Sequence, residues 1–91
     1  MKTSTQLERH LKGVANHRRI DILFTVRDHN QITLEKIADK LECNIKTISE
    51  HTHRLVHAGL INKKYSGRSV IHSLSPYGKR IVRFLQTFSH S

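Results

Sequence analysis

The chain has 91 residues, of which 36% are hydrophobic and 25% charged, and its formal net charge at pH 7 is +9. This composition is typical of a small folded domain, so we expect one domain spanning residues 1–91. No apolar run approaches the roughly 20 residues that cross a bilayer, which excludes a membrane-spanning helix. A single cysteine, Cys43, excludes an intramolecular disulfide, and we expect a reducing, cytoplasmic location.

Positive charge is concentrated in the second half of the chain. Residues 1–43 carry eight Lys/Arg and six Asp/Glu, whereas residues 44–91 carry eight Lys/Arg and one acidic residue, Glu50. This asymmetry predicts a polyanionic partner, because neutralising phosphates releases their condensed counterions. An anionic membrane surface is the competing polyanion. It requires a basic amphipathic helix, and only the C-terminal segment comes near that pattern.

Two helices are predicted in the N-terminal third. Residues 5–15 place apolar side chains on one face at the spacing of an amphipathic helix. Residues 18–29 are apolar on two faces, which predicts the helix at the centre of the domain. Ile32 is expected to begin a very short strand. The apolar residues of the second helix are Ile20, Ile22, Leu23, Phe24 and Val26.

Two more helices, joined by a short turn at residues 42–44, are predicted next. Thr33 is a suitable N-cap for the first of them, and Asn44 for the second. The second helix is expected to end at Gly59, since glycine favours the left-handed position after a helix. The predicted inner faces are Leu34, Ile37, Ala38 and Leu41 on the first helix, and Ile45, Ile48, Thr52, Leu55 and Val56 on the second.

A β-hairpin and a last helix complete the pattern. Strands are predicted at residues 60–65 and 69–74, with Gly67 at the tip taking a positive φ. Ser75 is the expected cap of the last helix and Pro76 its first residue. The fold class is therefore mainly α with a small β-hairpin: two helices, a very short strand, a helix pair, the hairpin and a final helix.

The second helix of the pair has a polar outer stripe at the spacing i, i+3, i+4, i+7. Every member can hydrogen-bond a base edge or a phosphate, which is what a recognition helix in the major groove requires. Glu50 fits such a helix if it accepts from cytosine N4 or orients Lys46 or His53. The alternative is a solvated helix face. The predicted base-reading residues are Lys46, Thr47, Ser49, Glu50, His53 and Arg54.

The hairpin carries cations without a neighbouring acid. Long basic side chains on a projecting ribbon suit phosphate contact or minor-groove insertion. A solubilising edge strand with protective lysines is the alternative. The predicted contacts of the hairpin and its flanks are Thr33, Lys63, Lys64, Ser66, Gly67 and Arg68.

Residues 33–73 resemble the winged helix-turn-helix of prokaryotic transcription regulators, most closely the ArsR type. The matching runs are TLEKIADKL, KTISEHTHRL, AGLI and GRSVIHSL, and SLSPYGKRI resembles the corresponding junction of MarR-like regulators. The resemblance implies a helix-turn-helix at 33–58 and a wing at 60–74. It also places Lys46, Thr47, Ser49 and Glu50 at base-contacting positions. Thr52 departs from the family, which usually has leucine there.

Many ArsR-type proteins sense metals, but this chain lacks the family's ligands at the matching positions. Thr33 and Glu35 stand where a thiolate pair would lie, and Pro76 and Gly78 stand near the start of the C-terminal site. His53 and His57 have an i, i+4 spacing that can chelate zinc, yet exposed polar residues are expected on that face anyway. We therefore expect no metal and no cofactor.

Other chemistry has little support in the sequence. Cys43 is a candidate redox thiol, although an isolated cysteine is more often a small packing residue. The clustered histidines His51, His53 and His57 could add charge on acidification. No phosphate loop or nucleophile elbow is present, so we expect no enzyme activity.

The terminal helices, at residues 1–15 and 76–88, carry more apolar surface than so small a core can cover. This excess predicts a homodimer built from both helices, whereas the alternative is packing within one protomer. The predicted interface residues are Leu7, Leu11, Val14, Tyr77, Ile81, Phe84, Leu85 and Phe88.

The sequence thus predicts a homodimeric, sequence-specific double-stranded DNA-binding regulator. We expect a cytoplasmic, nucleoid-associated repressor that binds a pseudo-palindromic operator. The alternatives are a winged helix used for protein–protein contact in a larger assembly, and a metal-responsive ArsR-type sensor.

Overall fold

The computed structural model describes residues 1–89, so the last two residues of the predicted domain lie outside it. Five helices and three strands follow the predicted order. The helices are α1 (Ser4–Val14), α2 (His17–Asp28), α3 (Leu34–Leu41), α4 (Ile45–His57) and α5 (Pro76–Ser89), and the strands are β1 (Ile32–Thr33), β2 (Ile61–Ser66) and β3 (Ser69–Leu74).

Local capping explains where these helices begin. The Thr33 side chain accepts a hydrogen bond from the Lys36 amide at the start of α3. Asn44 accepts from the Lys46 amide at 2.7 Å at the start of α4. Ser75 Oγ accepts from the Gly78 amide at 3.0 Å in the first turn of α5. Each cap satisfies an amide that has no partner within its helix, so all three predicted caps are confirmed.

The C-terminal end of α4 is fixed by Gly59. Its φ of +79° lies in the left-handed region. The Gly59 amide donates to the Val56 carbonyl, and the Leu60 amide donates to the Leu55 carbonyl, each at 3.0 Å. These two bonds form a Schellman motif. The chain therefore turns sharply out of α4 and enters the hairpin directly.

The core is built around α2, as the sequence predicted. Ile22 and Leu23 are completely buried, together with Ile37 of α3, Ile48 and Leu55 of α4, and Leu60. Two expectations need correction. Ile45, assigned to the inner face of α4, is 45% exposed, and Val82, absent from the predicted stripe of α5, is buried. In α5, the spacing from Gly78 to Val82 to half-buried Leu85 defines the inward face.

The three strands form an antiparallel sheet in the order β1-β3-β2. The hairpin register runs from Ile61 opposite Leu74 to Ser66 opposite Ser69. The loop is therefore Gly67-Arg68, one residue shorter than the predicted tip, because Ser66 still pairs. Gly67 has φ +61°, which suits the first central residue of a type II′ turn.

Candidate nucleic-acid interface

Helix α4 divides cleanly into a buried and an exposed side. Ile48, Thr52 and Leu55 are buried against the core. The opposite side is exposed to solvent along the helix. It carries all six residues predicted to read bases: Lys46, Thr47, Ser49, Glu50, His53 and Arg54.

Helix α3 and the turn before α4 set the position of this exposed side. Glu42 ends α3 in the left-handed region, with φ +53°. The Cys43 amide donates to the Ala38 carbonyl at 3.0 Å. Cys43 is half-buried, and its thiol donates to the Leu41 carbonyl at 3.2 Å. The turn is thus closed by hydrogen bonds, and Cys43 serves as a packing residue within it.

A groove of about 480 Å³ separates α4 from the hairpin. Ser49 and His53 line it from α4, and Lys63 and Arg68 line it from the hairpin. Thr33 contributes from the start of α3. The fold therefore brings residues from three separate sequence segments to one surface, where Lys63, Arg68 and the carboxylate of Glu35 lie around Ser49 and His53 of α4.

Strand pairing places the two hairpin lysines on different faces. Lys63 is opposite buried His72 in the register, whereas Lys64 is opposite Ile71. Because side chains alternate along a strand, Lys63 faces the α4 groove and Lys64 faces away from it. Ser66 and Gly67 are exposed near the hairpin tip.

Tyr65 is an additional candidate that is not among the residues predicted from the sequence. It is 72% exposed and, being two positions from Lys63, lies on the same face of β2. An exposed aromatic ring beside cations is well suited to contact a sugar or a base edge. The alternation of Lys63 and Tyr65 along a strand was the signal that could have revealed it.

Thr52 lies on the buried side of α4, where the resemblance to the family implied leucine. Its Oγ1 atom is buried and has no hydrogen-bond partner. An unpaired buried hydroxyl lowers stability, because its hydration is lost without replacement. Because leucine has no hydroxyl, this departure from the family predicts a loss of stability on the buried side of α4.

His51 connects α4 to α2. The Nε of Arg19 donates to Nδ1 of His51 at 3.3 Å. Partial burial lowers the pKa of His51, and the positive charge of Arg19 lowers it further. The neutral ring is therefore favoured, which leaves its Nδ1 lone pair available to accept from Arg19.

The histidines do not form a metal cluster in the described part of the chain. The rings of His53 and His57 stack at 6.3 Å between centroids on the exposed side of α4. Across residues 1–89, no group of three or more His, Cys, Asp or Glu side chains is arranged to hold a metal ion. None of the helices in this range is long and apolar enough to cross a membrane.

Apolar side chains are exposed on both terminal helices. The exposed members of the predicted interface are Leu7, Leu11, Tyr77, Phe84 and Phe88.

Val14 is a correction to the predicted interface, because it is only 7% exposed and belongs to the core of its own protomer. Ile81 and Leu85 are half-buried against that core. The rings of His10 and Tyr77 lie 5.0 Å apart and bring α1 and α5 together.

The model of the MarR family matches residues 15–69 of the chain. The chain belongs to the MarR family. The matched residues contain α2, the helix-turn-helix and most of the hairpin, whereas the sequence-based resemblance to MarR regulators rested on the junction before α5. Membership of a family of transcription regulators confirms the winged-helix assignment and the expectation that the chain is not an enzyme.

The chain is similar to the transcriptional activator HlyU of Vibrio cholerae serotype O1, with 32% identity over 65 residues. This sequence match includes 71% of the chain and 59% of HlyU, so the aligned part of the chain spans less than two thirds of that curated relative.

Two solved structures are also similar. HlyU from Vibrio cholerae N16961 has a TM-score of 0.86 and 27% identity, covering 99% of this chain and 98% of that one. The homodimeric winged helix-turn-helix DNA-binding domain Mb0332 of Mycobacterium bovis has a TM-score of 0.85 and 24% identity, covering 94% and 80%. The winged helix-turn-helix fold is thereby confirmed.

Proposed function

We propose that this domain is a sequence-specific, double-stranded DNA-binding transcription regulator that acts as a homodimer in the cytoplasm, at the nucleoid. One observation carries the proposal. Ser49 and His53 of the exposed polar stripe of α4 line a single groove with Lys63 and Arg68 of the hairpin. A reading helix flanked by basic side chains has the chemistry that binding to a duplex requires. Contacts with base edges provide sequence specificity, and contacts with phosphates fix the orientation of the protein.

The dimensions of α4 suit the major groove. Its 13 residues span about 20 Å, and the groove is about 12 Å wide, enough to admit one helix. In this docking, Lys46, Thr47, Ser49 and Glu50 are nearest the base edges, since they lie in the first half of the helix. Glu50 accepts a hydrogen bond from cytosine N4. This contact offsets the repulsion between the Glu50 carboxylate and the DNA phosphates.

The hairpin acts as the wing in this proposal. Lys63 and Arg68 contact phosphates beside the groove that α4 enters. In this proposal, hydroxyl groups or backbone amides of Thr33, Ser66 and Gly67 approach the DNA strand whose phosphates Lys63 and Arg68 contact. Such contacts fix the orientation of the protein and contribute equally at every sequence.

Homodimerisation is proposed from the terminal helices. Leu11 and Phe84 are each more than half exposed, and burying such side chains against a second copy is favourable. Mb0332, which shares the fold, is homodimeric. A twofold dimer places two α4 helices about 34–36 Å apart, which corresponds to a pseudo-palindromic site with half-sites one helical turn apart.

Repression is the mode of regulation we propose, since a dimer bound over a promoter excludes polymerase without any further contact. HlyU, the curated relative, is an activator, so activation is the competing outcome. A reporter fused to a promoter that carries the selected site distinguishes them: expression rises in the absence of a repressor and falls in the absence of an activator.

Binding of the full chain to a random 30-base-pair duplex, measured by fluorescence anisotropy at low salt, tests the proposal. We expect binding that weakens as salt is raised. Selection from genomic fragments then gives the operator, and Lys46→Ala should weaken binding to it more than to random duplex. The exposed Lys79 of α5 provides the charge-matched control Lys79→Ala. Absence of binding at low salt would instead favour a protein–protein module with an acidic partner.

A further inference from the structure

A second basic cleft, of about 510 Å³, lies between α1 and α4. It is lined by Arg9 and Lys12 of α1, Arg19 of α2 and Arg54 of α4, with Glu50 as its one carboxylate. Of these four cations, only Arg54 is among the residues predicted from the sequence to bind DNA. This cleft will be called the α1 cleft.

A close helix crossing places α1 beside α4. A Cβ atom on Gly13 would lie 2.5 Å from the Cβ of Ala58, which is closer than side chains tolerate. The absence of a side chain at Gly13 therefore allows α1 to cross the end of α4 nearly in backbone contact. Lys12 and Arg9 lie one and four positions before Gly13. The crossing therefore brings both residues to the lining of the cleft.

Arg19 is held in place within the α1 cleft. Its Nη1 donates to the Lys12 carbonyl at 3.1 Å, and its Nε donates to His51 Nδ1 at 3.3 Å. One guanidinium thus bridges α1 and α4 from the first turns of α2. Its position is set by the fold, which reduces the conformational entropy lost when an anion binds there.

The α1 cleft and the wing groove lie on opposite sides of the reading stripe. His53 lines both of them. Ser49 lines only the wing groove, whereas Glu50 and Arg54 line only the α1 cleft. Helix α4 therefore stands between two basic walls, one formed by the hairpin and one by α1 and α2.

A DNA major groove has the matching arrangement, because it is bounded by one phosphate backbone on each side. A helix in the groove has one strand on its left and the other on its right. We propose that the α1 cleft binds the phosphate backbone of the strand opposite the one contacted by the wing. This inference rests on the proposed DNA binding and extends the protein–DNA contact to α1, outside the helix-turn-helix and wing.

Lys12 forms an ion pair with Glu8 at 3.0 Å. Both side chains are largely exposed, so this pair contributes little free energy and does not prevent Lys12 from turning to a phosphate. Glu50 lowers the positive potential of the cleft, and its proposed contact with a cytosine directs its charge toward the base.

The experiment compares two full-length double variants with the same loss of charge. Arg9→Gln/Lys12→Gln removes two cations from the α1 cleft. Lys79→Gln/Arg83→Gln removes two exposed cations from α5, where they line a separate groove with Val26 and Leu74. Binding to random duplex is measured by anisotropy at salt concentrations from about 50 to about 300 mM. The affinity is expected to fall with salt over this range because phosphate contacts release counterions. Circular dichroism and light scattering confirm that each variant is folded and unchanged in oligomeric state.

The α1-cleft variant should lower the slope of log K against log salt by about 3.6 for the dimer, since each protomer loses two phosphate contacts and each contact contributes about 0.9. The α5 variant should retain the wild-type slope.

Equal slopes for wild type and the α1-cleft variant would overturn the inference while leaving the proposed function intact. An equal loss in both variants would also overturn it, because net charge alone would then be responsible. Loss of the dimer in the α1-cleft variant would assign the cleft to the subunit interface instead. If the wild type binds no duplex, it is the proposed function that fails.

Discussion

Arg19 donates to Nδ1 of His51 at 3.3 Å and so connects the buried helix α2 to the reading helix α4. The contact requires a neutral imidazole at Nδ1. Partial burial and the charge of Arg19 both lower the pKa of His51 below its ordinary value of 6.5. Protonation of His51 at Nδ1 would therefore remove this hydrogen bond between α2 and α4.

This dependence predicts a loss of stability on acidification. Because the pKa is lower in the folded state, the unfolded chain binds more protons below about pH 6.5, so stability rises with pH across that window. The contribution of His51 is fully present above pH 6.5 and is lost as pH falls through its folded pKa.

Urea unfolding from pH 5 to 8 should show a weaker pH dependence in His51→Gln than in wild type. His29→Gln, at an exposed position after α2, is the control, and an identical slope in both variants would contradict the prediction.

The two hairpin lysines should differ in their effect on DNA binding. Lys63 faces the α4 groove, and Lys64 faces away from it. Lys63→Ala should weaken binding to random duplex and reduce the salt slope by about 1.8, because the dimer loses two phosphate contacts of about 0.9 each. Lys64→Ala removes the same charge one residue away and should leave the slope close to that of wild type. Equal effects in anisotropy titrations would show that the orientation of the wing differs from the one proposed.

Replacing the buried hydroxyl of Thr52 should stabilise the fold. Thr52 Oγ1 is buried without a partner, and valine has nearly the same shape without the polar atom. Thr52→Val should raise the free energy of unfolding by about 1 kcal/mol, the lower end of the cost of an unpaired buried group. Thr47→Val makes the same chemical change at an exposed position of α4 and should have an effect below about 0.5 kcal/mol. Thermal or urea unfolding measures both, and no gain in Thr52→Val would indicate that the hydroxyl is hydrated.

Charge introduced on the exposed face of the terminal helices should separate the proposed dimer. Phe84 is 54% and Leu11 58% exposed, so Phe84→Glu or Leu11→Glu changes the surface of the protomer with little effect on its core. Light scattering should show wild type at the mass of a dimer and each variant at the mass of a monomer. Lys79→Glu, at an exposed position of α5, should remain dimeric. A monomeric wild type would contradict the proposed assembly directly.

Much of the fold was predictable because its signals are local. The caps at Thr33, Asn44 and Ser75 act on amides two or three residues away. Gly59 ends α4 through its own backbone preference. Helical periodicity also gave the direction of the buried side of α4, and hence the stripe that faces solvent.

The sequence by itself determined the order of the elements and the polar stripe of α4, because capping and periodicity depend on neighbours along the chain. Tertiary structure alone decided which residues meet. Val14 and Val82 are buried, and Ile45 is exposed, because periodicity gives the direction of a side chain but not what covers it. The strand register separated Lys63 from Lys64, and the crossing at Gly13 brought Arg9 and Lys12 to α4. Both depend on contacts between segments that are distant in the chain, and no local pattern of residues records them.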